Sequence, residues 1–212
     1  MANQIKIVSF DVEGTLVTTD FSYAIWFEAI PQRFAEKHGL TIEQAQKEVR
    51  AEYEKIGDQR AEWYDIKYWF TRFGIGDYKP VMEQHHHRIG YYPEVKEVLS
   101  TLDKKYTIIA SSGSAREFLN HLLRDIRPYF YRIYSSTSDY KHPKTNEFYL
   151  KICKDLGVMP EHILHIGDNW EFDFVAANGI GMQAIFLDRG KTSKRQNAVS
   201  SLAEINTYLE IP

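Results

Sequence analysis

The chain has 212 residues, 43% of them hydrophobic and 26% charged, with a formal net charge of −3 at neutral pH. That length suits one large domain, or a domain carrying a substantial insert. The charge balance gives no basic field for nucleic acid or an anionic membrane, and no apolar run is long enough to span a bilayer.

The first element in chain order is an apolar strand, Ile5–Asp11, which runs straight into the acidic turn of "FDVEGTLV". Its opening, "MANQIKIVSF", lacks a signal-peptide pattern. The lone cysteine, Cys153, permits no internal disulfide and reads as a core residue of a helix. A reducing, cytoplasmic setting is the expectation. From Thr19 to Ile89 only helical and charged patterns occur. Within them, Leu40-Thr41 followed by Glu43-Gln44 marks a capped helix start. We read 19–89 as a helical bundle inserted into a core made of 1–18 and 90–212. The three histidines at His85–His87 are consecutive, so they cannot share one helix face, and a metal site there is not expected.

The core resumes with "YYPEVKEVLSTL", a helix started by proline, and then alternates strand and helix. Strands are expected at Tyr106–Ser111, Tyr131–Ser135, Ile163–Gly167 and Gln183–Leu187. Helices are expected at Ser114–Leu123, opened by Ser114 as N-cap, and at Thr145–Leu156, closed by Gly157. Such alternation predicts βαβ units and a doubly wound, mainly parallel, Rossmann-like α/β sheet.

Parallel sheets bind ligands at the carboxyl ends of their strands. Those ends carry Asp11, then Ser111-Ser112-Gly113, then Lys141 and Lys144, then Asp168 and Asp173 in "GDNWEFD". Carboxylates brought together repel unless a cation joins them, and an all-oxygen donor set favours Mg²⁺. A nearby lysine would balance further charge, and a Ser-Gly turn would hold phosphate oxygens. An aspartate can attack phosphorus, and Glu13 would protonate the leaving oxygen and then activate water.

In this order, "FDVEGTLV", "IIASSGS", a lysine ahead of a helix, and "HIGDNWEFDF" resemble the four motifs of the haloacid dehalogenase superfamily. The insert sits where that superfamily places a helical cap. The resemblance implies that Asp11 is the nucleophile. It implies that Mg²⁺ is held by Asp11, Glu13 through its backbone carbonyl, and Asp168, with Asp173 supporting the metal or its waters. Asp173 read by itself is equally a helix-start acid. Ser111, with the amides of Ser112 and Gly113, would bind the phosphoryl group, the alternative for Ser111 being a buried strand-end hydroxyl. In "DYKHPKTNEFYL", Lys144 fits the motif lysine and Lys141 is the alternative, as a group that meets the substrate; aligning on the proline instead puts His142 there.

Glu13 stands where the superfamily commonly has a second aspartate. An acid there argues for phosphate-ester hydrolysis over dehalogenation. Enolase-phosphatases look similar in having Glu-Gly-Thr and a Ser-Ser-Gly-Ser turn, whereas "GDNWEFDF" resembles the phosphoglycolate-phosphatase type. The expectation is therefore a Mg²⁺-dependent hydrolase of a small phosphorylated metabolite, with no nucleic-acid or membrane partner and no reading of oligomeric state. The rivals are an enolase-phosphatase with a specialised substrate, a dehalogenase, and a scaffold that has lost turnover. The insert is rich in aromatics, Trp26, Phe27, Trp63, Tyr64, Tyr68, Trp69 and Phe70, which read mostly as bundle core. Arg60, Lys67 and Arg72 are interleaved among them, and an arginine would bind a substrate carboxylate bidentately if it faced the cleft.

Overall fold

The computed structural model describes residues 5–192, 195 and 198–209. Five short runs of β-branched and apolar residues form β1 (Ile7–Phe10), β2 (Thr107–Ser112), β3 (Arg132–Ser135), β4 (Ile163–Gly167) and β5 (Gln183–Leu187). A two-residue β6 (Ala198–Val199), unexpected from so short a segment, closes one edge. The sheet order is β3-β2-β1-β4-β5-β6, and every ladder is parallel. The chain winds outward from β1 to β3, then returns to the other side of β1 as β4. The strand order thus reverses at β1, and the carboxyl ends of β1, β2 and β4 meet there.

Strand periodicity sorts the core into two layers. Val8, Phe10, Ile108, Ala110, Leu164 and Ile166 point to one face and join the larger cluster. Ile7, Ile109 and Ile163 point to the other, against Phe148, Tyr149, Ile152 and Cys153 of the Asn146–Leu156 helix. Cys153 is buried and its thiol is pushed up to about 11 by burial, as a core residue should be.

Between β1 and β2 every element is helical. The Ile42–Ile56 helix begins at Thr41, whose hydroxyl accepts from the Gln44 amide while the Gln44 side chain accepts from the Thr41 amide. The Ile66–Phe73 helix is capped by Asp65. These helices are not a separate globule. Their Ile25, Tyr53 and Trp69 belong to the same apolar cluster as Phe10 and Leu16 below them and Phe118 beside them. Among the described residues no helix is long and apolar enough to cross a membrane.

Two expected helix starts move. The helix after β2 spans Arg116–Leu122 with Ala115 at its N-cap, and Ser114 is used elsewhere. The helix before β2 spans Val95–Leu102, with Pro93 in the turn ahead of it.

Candidate active site

Asp11 directly follows β1 and is pinned there by its amide, which donates to the Ile166 carbonyl of β4. Its Oδ1 accepts from Lys144 Nζ at 2.6 Å, and the same ammonium donates to Asp173 Oδ1. All three side chains are buried. Lys144 reaches this point because Thr145 opens the next helix directly after it. Asp173 lies in a π-helical turn, Trp170–Val175, capped by Asn169. Its Oδ2 accepts from the Asn169 amide at 2.9 Å, and its Oδ1 also meets His165 Nε2 at 3.1 Å. Asp173 is therefore no solvated helix-start acid.

One lysine cannot neutralise two buried acids, and the electrostatics divide accordingly. Burial alone would raise Asp173, but Lys144 and His165 outweigh it and hold the carboxyl below its usual range. Burial would lower Lys144, but Asp11 and Asp173 hold it above its usual value. Lys144 and Asp173 thus form the settled ion pair. Asp11 carries the excess: burial, with Asp173 and Asp168 nearby, pushes it well up despite Lys144. Asp168, open to solvent at the cavity floor, is raised to about 6, first by the surrounding protein and then by Asp173.

Two glycines make this packing possible. Gly14 has φ +75°, and a Cβ built on it would lie 2.1 Å from Asp168 Oδ2. A Cβ on Gly167 would lie 2.2 Å from Asp173 Cγ. The backbone is bare where the carboxylates press against it.

Glu13 faces another way. Its Oε2 accepts from Ser114 Oγ at 2.5 Å, and its carboxylate is not part of the acidic cluster. Only its backbone remains available for the metal role expected of it. Burial raises the Glu13 pKa, opposed by Ser114, Ser22 and Lys144. Ser22 lies near enough to act on Glu13, but its hydroxyl makes no hydrogen bond of acceptable geometry.

The expectation for the Ser111 hydroxyl is corrected. β2 runs on through Ser112, so Ser111 points to the inner face, 2.9 Å from Ser9 Oγ, and does not line the cavity. Ser112, one residue on, faces the opposite way and does line it, with Gly113 and Ser114. Below the turn, Thr137 Oγ1 donates to the Gly113 carbonyl at 2.6 Å and Ser135 Oγ to the Ser114 carbonyl at 2.8 Å. With those carbonyls bound on one side, the turn can present its amides to an anion. Lys141 is not brought to the site: it is exposed, with φ 63°, and does not line the cavity.

The cavity above these groups has a volume of 460 Å³ and is walled by the helical insert. The insert cations take no part. Arg60 pairs with Glu62 at 2.5 Å, Lys67 with Glu117, and Arg72 with Glu52. None lines the cavity, so no arginine clamp for a substrate carboxylate is formed. The three histidines do not converge either: His85 Nδ1 meets the Val81 carbonyl, His87 Nδ1 meets the Gln84 carbonyl, and His86 Nε2 meets Arg124.

The donor set fits a hard divalent cation. Asp11, Asp168 and Asp173 offer oxygens within 4.8 Å of one another, the one such cluster found among the described residues. Each Asp173 oxygen already accepts from the protein, whereas Asp11 Oδ2 and the Asp168 carboxylate have no ion pair or side-chain donor among the described residues. Asp11 and Asp168 are therefore the residues that would hold the ion, with Asp173 behind them.

Two further features escaped the sequence reading. Arg189, in the loop after β5, donates to the carbonyls of Gly14 and Thr15 at 3.2 and 2.7 Å. It also pairs with Glu94 at 2.8 Å and lies 3.4 Å from the Tyr92 ring centroid, so it fastens the acidic turn from outside. The buried trio Ser9, Ser111 and His165 lies beneath the site. Polar residues inside otherwise apolar strands were its visible sign.

A family model described as haloacid dehalogenase-like hydrolase matches residues 5–181. The GMP/IMP nucleotidase YrfG of Escherichia coli (strain K12) is 27% identical over 71 residues, 34% of this chain and 32% of that protein. The chain thus matches about a third of that curated relative's length. Among solved structures, a HAD phosphatase from Thermococcus onnurineus superposes with a TM-score of 0.85 at 21% identity, covering 97% of this chain and 98% of that one. A 2-haloacid dehalogenase from Pseudomonas syringae pv. Tomato DC3000 superposes with a TM-score of 0.71 at 19% identity, covering 98% and 99%. These two likenesses show a shared fold that serves both kinds of protein.

Proposed function

The chain belongs to the haloacid dehalogenase-like hydrolases, and on that premise we propose that it hydrolyses a small-molecule phosphate monoester through an aspartyl-phosphate on Asp11, with Mg²⁺ as cofactor. The observation that carries the reading is the state of Asp11. One oxygen is held by Lys144 and the carboxyl is left electrostatically unbalanced at the floor of a cavity that also holds Glu13 and Asp168. A carboxylate so placed would be balanced by a cation, which Asp11 and Asp168 would hold, and it faces the cavity that a phosphoryl group would enter.

Asp11 and Asp168 would hold the ion. When bound, it would neutralise charge on the phosphoryl oxygens. One carboxylate oxygen of Asp11 attacks phosphorus as the ester P–O bond breaks, the other being the one left to the ion. Glu13, whose pKa burial raises, gives a proton to the leaving oxygen. The Glu13 carboxylate then takes a proton from water, which attacks the aspartyl-phosphate, releases inorganic phosphate and restores Asp11. Ser112 and the amides of the following turn hold the phosphoryl oxygens. Lys144 keeps Asp11 oriented and screens it from Asp173. The two relatives whose names are a nucleotidase and a phosphatase accord with this chemistry.

The test is phosphate release from para-nitrophenyl phosphate with Mg²⁺ and with EDTA. Turnover should need Mg²⁺ and should vanish in Asp11→Asn. Turnover that survives that substitution would remove Asp11 as nucleophile. Halide release from a 2-haloacid with no phosphate release would replace the phosphatase reading altogether.

A further inference from the structure

The cavity is lined by two unlike sets of groups: the carboxylates with Lys144, and aromatic rings, among them Trp26, Phe27, Trp63 and Tyr64 of the helical segment and Phe172 of the turn that carries Asp173. Several of these rings are held by their neighbours. Trp26 stacks on Phe118 with ring centroids 5.2 Å apart, and Tyr53 packs edge-on to Trp63 at 5.9 Å and donates its hydroxyl to the Trp26 carbonyl. Tyr64 is pushed up to about 12, first by burial, so its hydroxyl stays neutral. Among the described lining residues the only cation is Lys144, already committed to Asp11 and Asp173. Arg50 stands 5.8 Å from the Phe27 ring centroid but does not line the cavity.

We propose that the alcohol half of the substrate is a flat, uncharged aromatic or heteroaromatic group, stacked among Trp26, Trp63, Tyr64 and Phe172 while its phosphoryl group meets Asp11. This deepens the phosphatase reading and rests on it. Two physical arguments select the class. Rigid aromatic walls reward a planar ring, which buries area at little entropic cost and can stack or meet the walls edge-on. A second anion on the alcohol, such as a carboxylate or a further phosphate, would enter a space that already holds four carboxyl groups and offers it no free cation. The volume of 460 Å³ accommodates one ring system with its linker. The polar complement is small. Ser22 Oγ, buried beside Glu13, lines the cavity and makes no hydrogen bond of acceptable geometry there, so it could turn to one heteroatom of the substrate.

Intrinsic reactivity must be kept out of the test, so substrates are compared in pairs that share the same type of leaving oxygen. Benzyl phosphate is set against ethyl phosphate, and inosine 5′-monophosphate against ribose 5-phosphate, with 2-phosphoglycolate as the anionic alcohol. The full chain is used with Mg²⁺. The ring-bearing member of at least one pair should show a kcat/KM higher by about tenfold or more, the gain lying chiefly in KM. Trp63→Ala should shrink that ratio, and Trp63→Phe should retain it. If Trp63→Ala does not fold, Tyr64→Leu supplies the same comparison. Ratios of one or less in both pairs, or 2-phosphoglycolate as the best substrate, would overturn this inference while leaving the phosphatase reading intact. No Asp11-dependent turnover of any ester would overturn the reading beneath it and this inference together.

Discussion

Replacing Gly14 by alanine tests the acidic cluster through the backbone rather than through its own carboxylates. At φ +75° an alanine costs about 1–2 kcal/mol from its Cβ alone. That Cβ would also lie 2.1 Å from Asp168 Oδ2, against an ordinary contact of 3.4 Å or more, so the carboxylate must retreat by over an ångström. Metal ligation tolerates only about 0.2 Å. Mg²⁺ affinity should therefore fall by about tenfold or more, the scale of a disturbed ligand shell. The melting temperature should drop by about 2–8 °C, taking about 2–4 °C per kcal/mol for a chain of this size. Gly39→Ala is the control: Gly39 also has positive φ, +65°, but its Cβ would meet nothing within 4 Å. It should show a similar backbone cost with Mg²⁺ binding intact. Titration calorimetry with Mg²⁺ and calorimetric melting read both quantities. If Gly14→Ala melts lower yet binds Mg²⁺ within about twofold of the wild type, well inside the expected ligand-shell loss, Asp168 is not one of the ligands.

Three other outcomes follow from the same geometry. Lys144→Ala strips the counter-charge from two buried acids, so turnover should be lost and urea denaturation should show a loss of about 3–5 kcal/mol; a loss under 1 kcal/mol would mean that the pair is not the settled one described above. Asp168 has a raised pKa, about 6, so in metal-free protein its charge opposes folding above that pH, and the opposition fades as the pH falls toward the ordinary carboxylate range. Asp168→Asn should accordingly melt above the wild type at pH 7 with EDTA, the difference should close between about pH 6 and pH 4, and Mg²⁺ should reverse its sign at pH 7; a pH-independent difference would refute the assignment. Arg189→Lys removes a fork that spans two carbonyls, Glu94 and the Tyr92 ring, which a single ammonium cannot do. It should lower kcat while the affinity for inorganic phosphate changes less, and an unchanged kcat would show that the acidic turn needs no outer fastening.

The sheet was legible because its signal is local. Five strands rich in β-branched and apolar residues, separated by helical periods, leave few arrangements other than a parallel sheet. Gly157 and the Thr41–Gln44 pair were legible for the same reason, since a cap is written within four residues. The site was legible at the level of strand ends and lost at the level of one residue. Ser111 and Ser112 differ only by the period of the strand, and where β2 ends decides which of them meets the cavity. The two lysines differ in space: Lys144 lies among the buried acids at the mouth of a helix, whereas Lys141 sits on a left-handed turn facing solvent. Arg189 was out of reach, because it acts on Gly14 from 175 residues away.

The polar row under the site shows how the electrostatic imbalance at Asp11 is built. In register, Ser9 of β1 lies opposite His165 of β4, and its hydroxyl is 2.8 Å from His165 Nδ1 and 2.9 Å from Ser111 Oγ. Burial lowers the His165 pKa, opposed by the neighbouring Asp173. The ring thus bridges Asp173 Oδ1 at Nε2 and the Ser9 hydroxyl at Nδ1, and that hydroxyl donates to Ser111 Oγ. Asp173 is thus gripped from beneath by the ring, from the loop by the Asn169 amide and from the side by Lys144. With that many donors Asp173 is the better partner for the lysine, and it takes the larger share of the positive charge. Asp11 is left near a cation that is mostly spent, beside a second acid at the cavity floor. An apolar residue at position 165 would remove one of the three grips, free Lys144 to favour Asp11, and weaken the demand for an external cation. On this argument the buried histidine, which touches no reacting atom, helps to make the site one that calls for a metal.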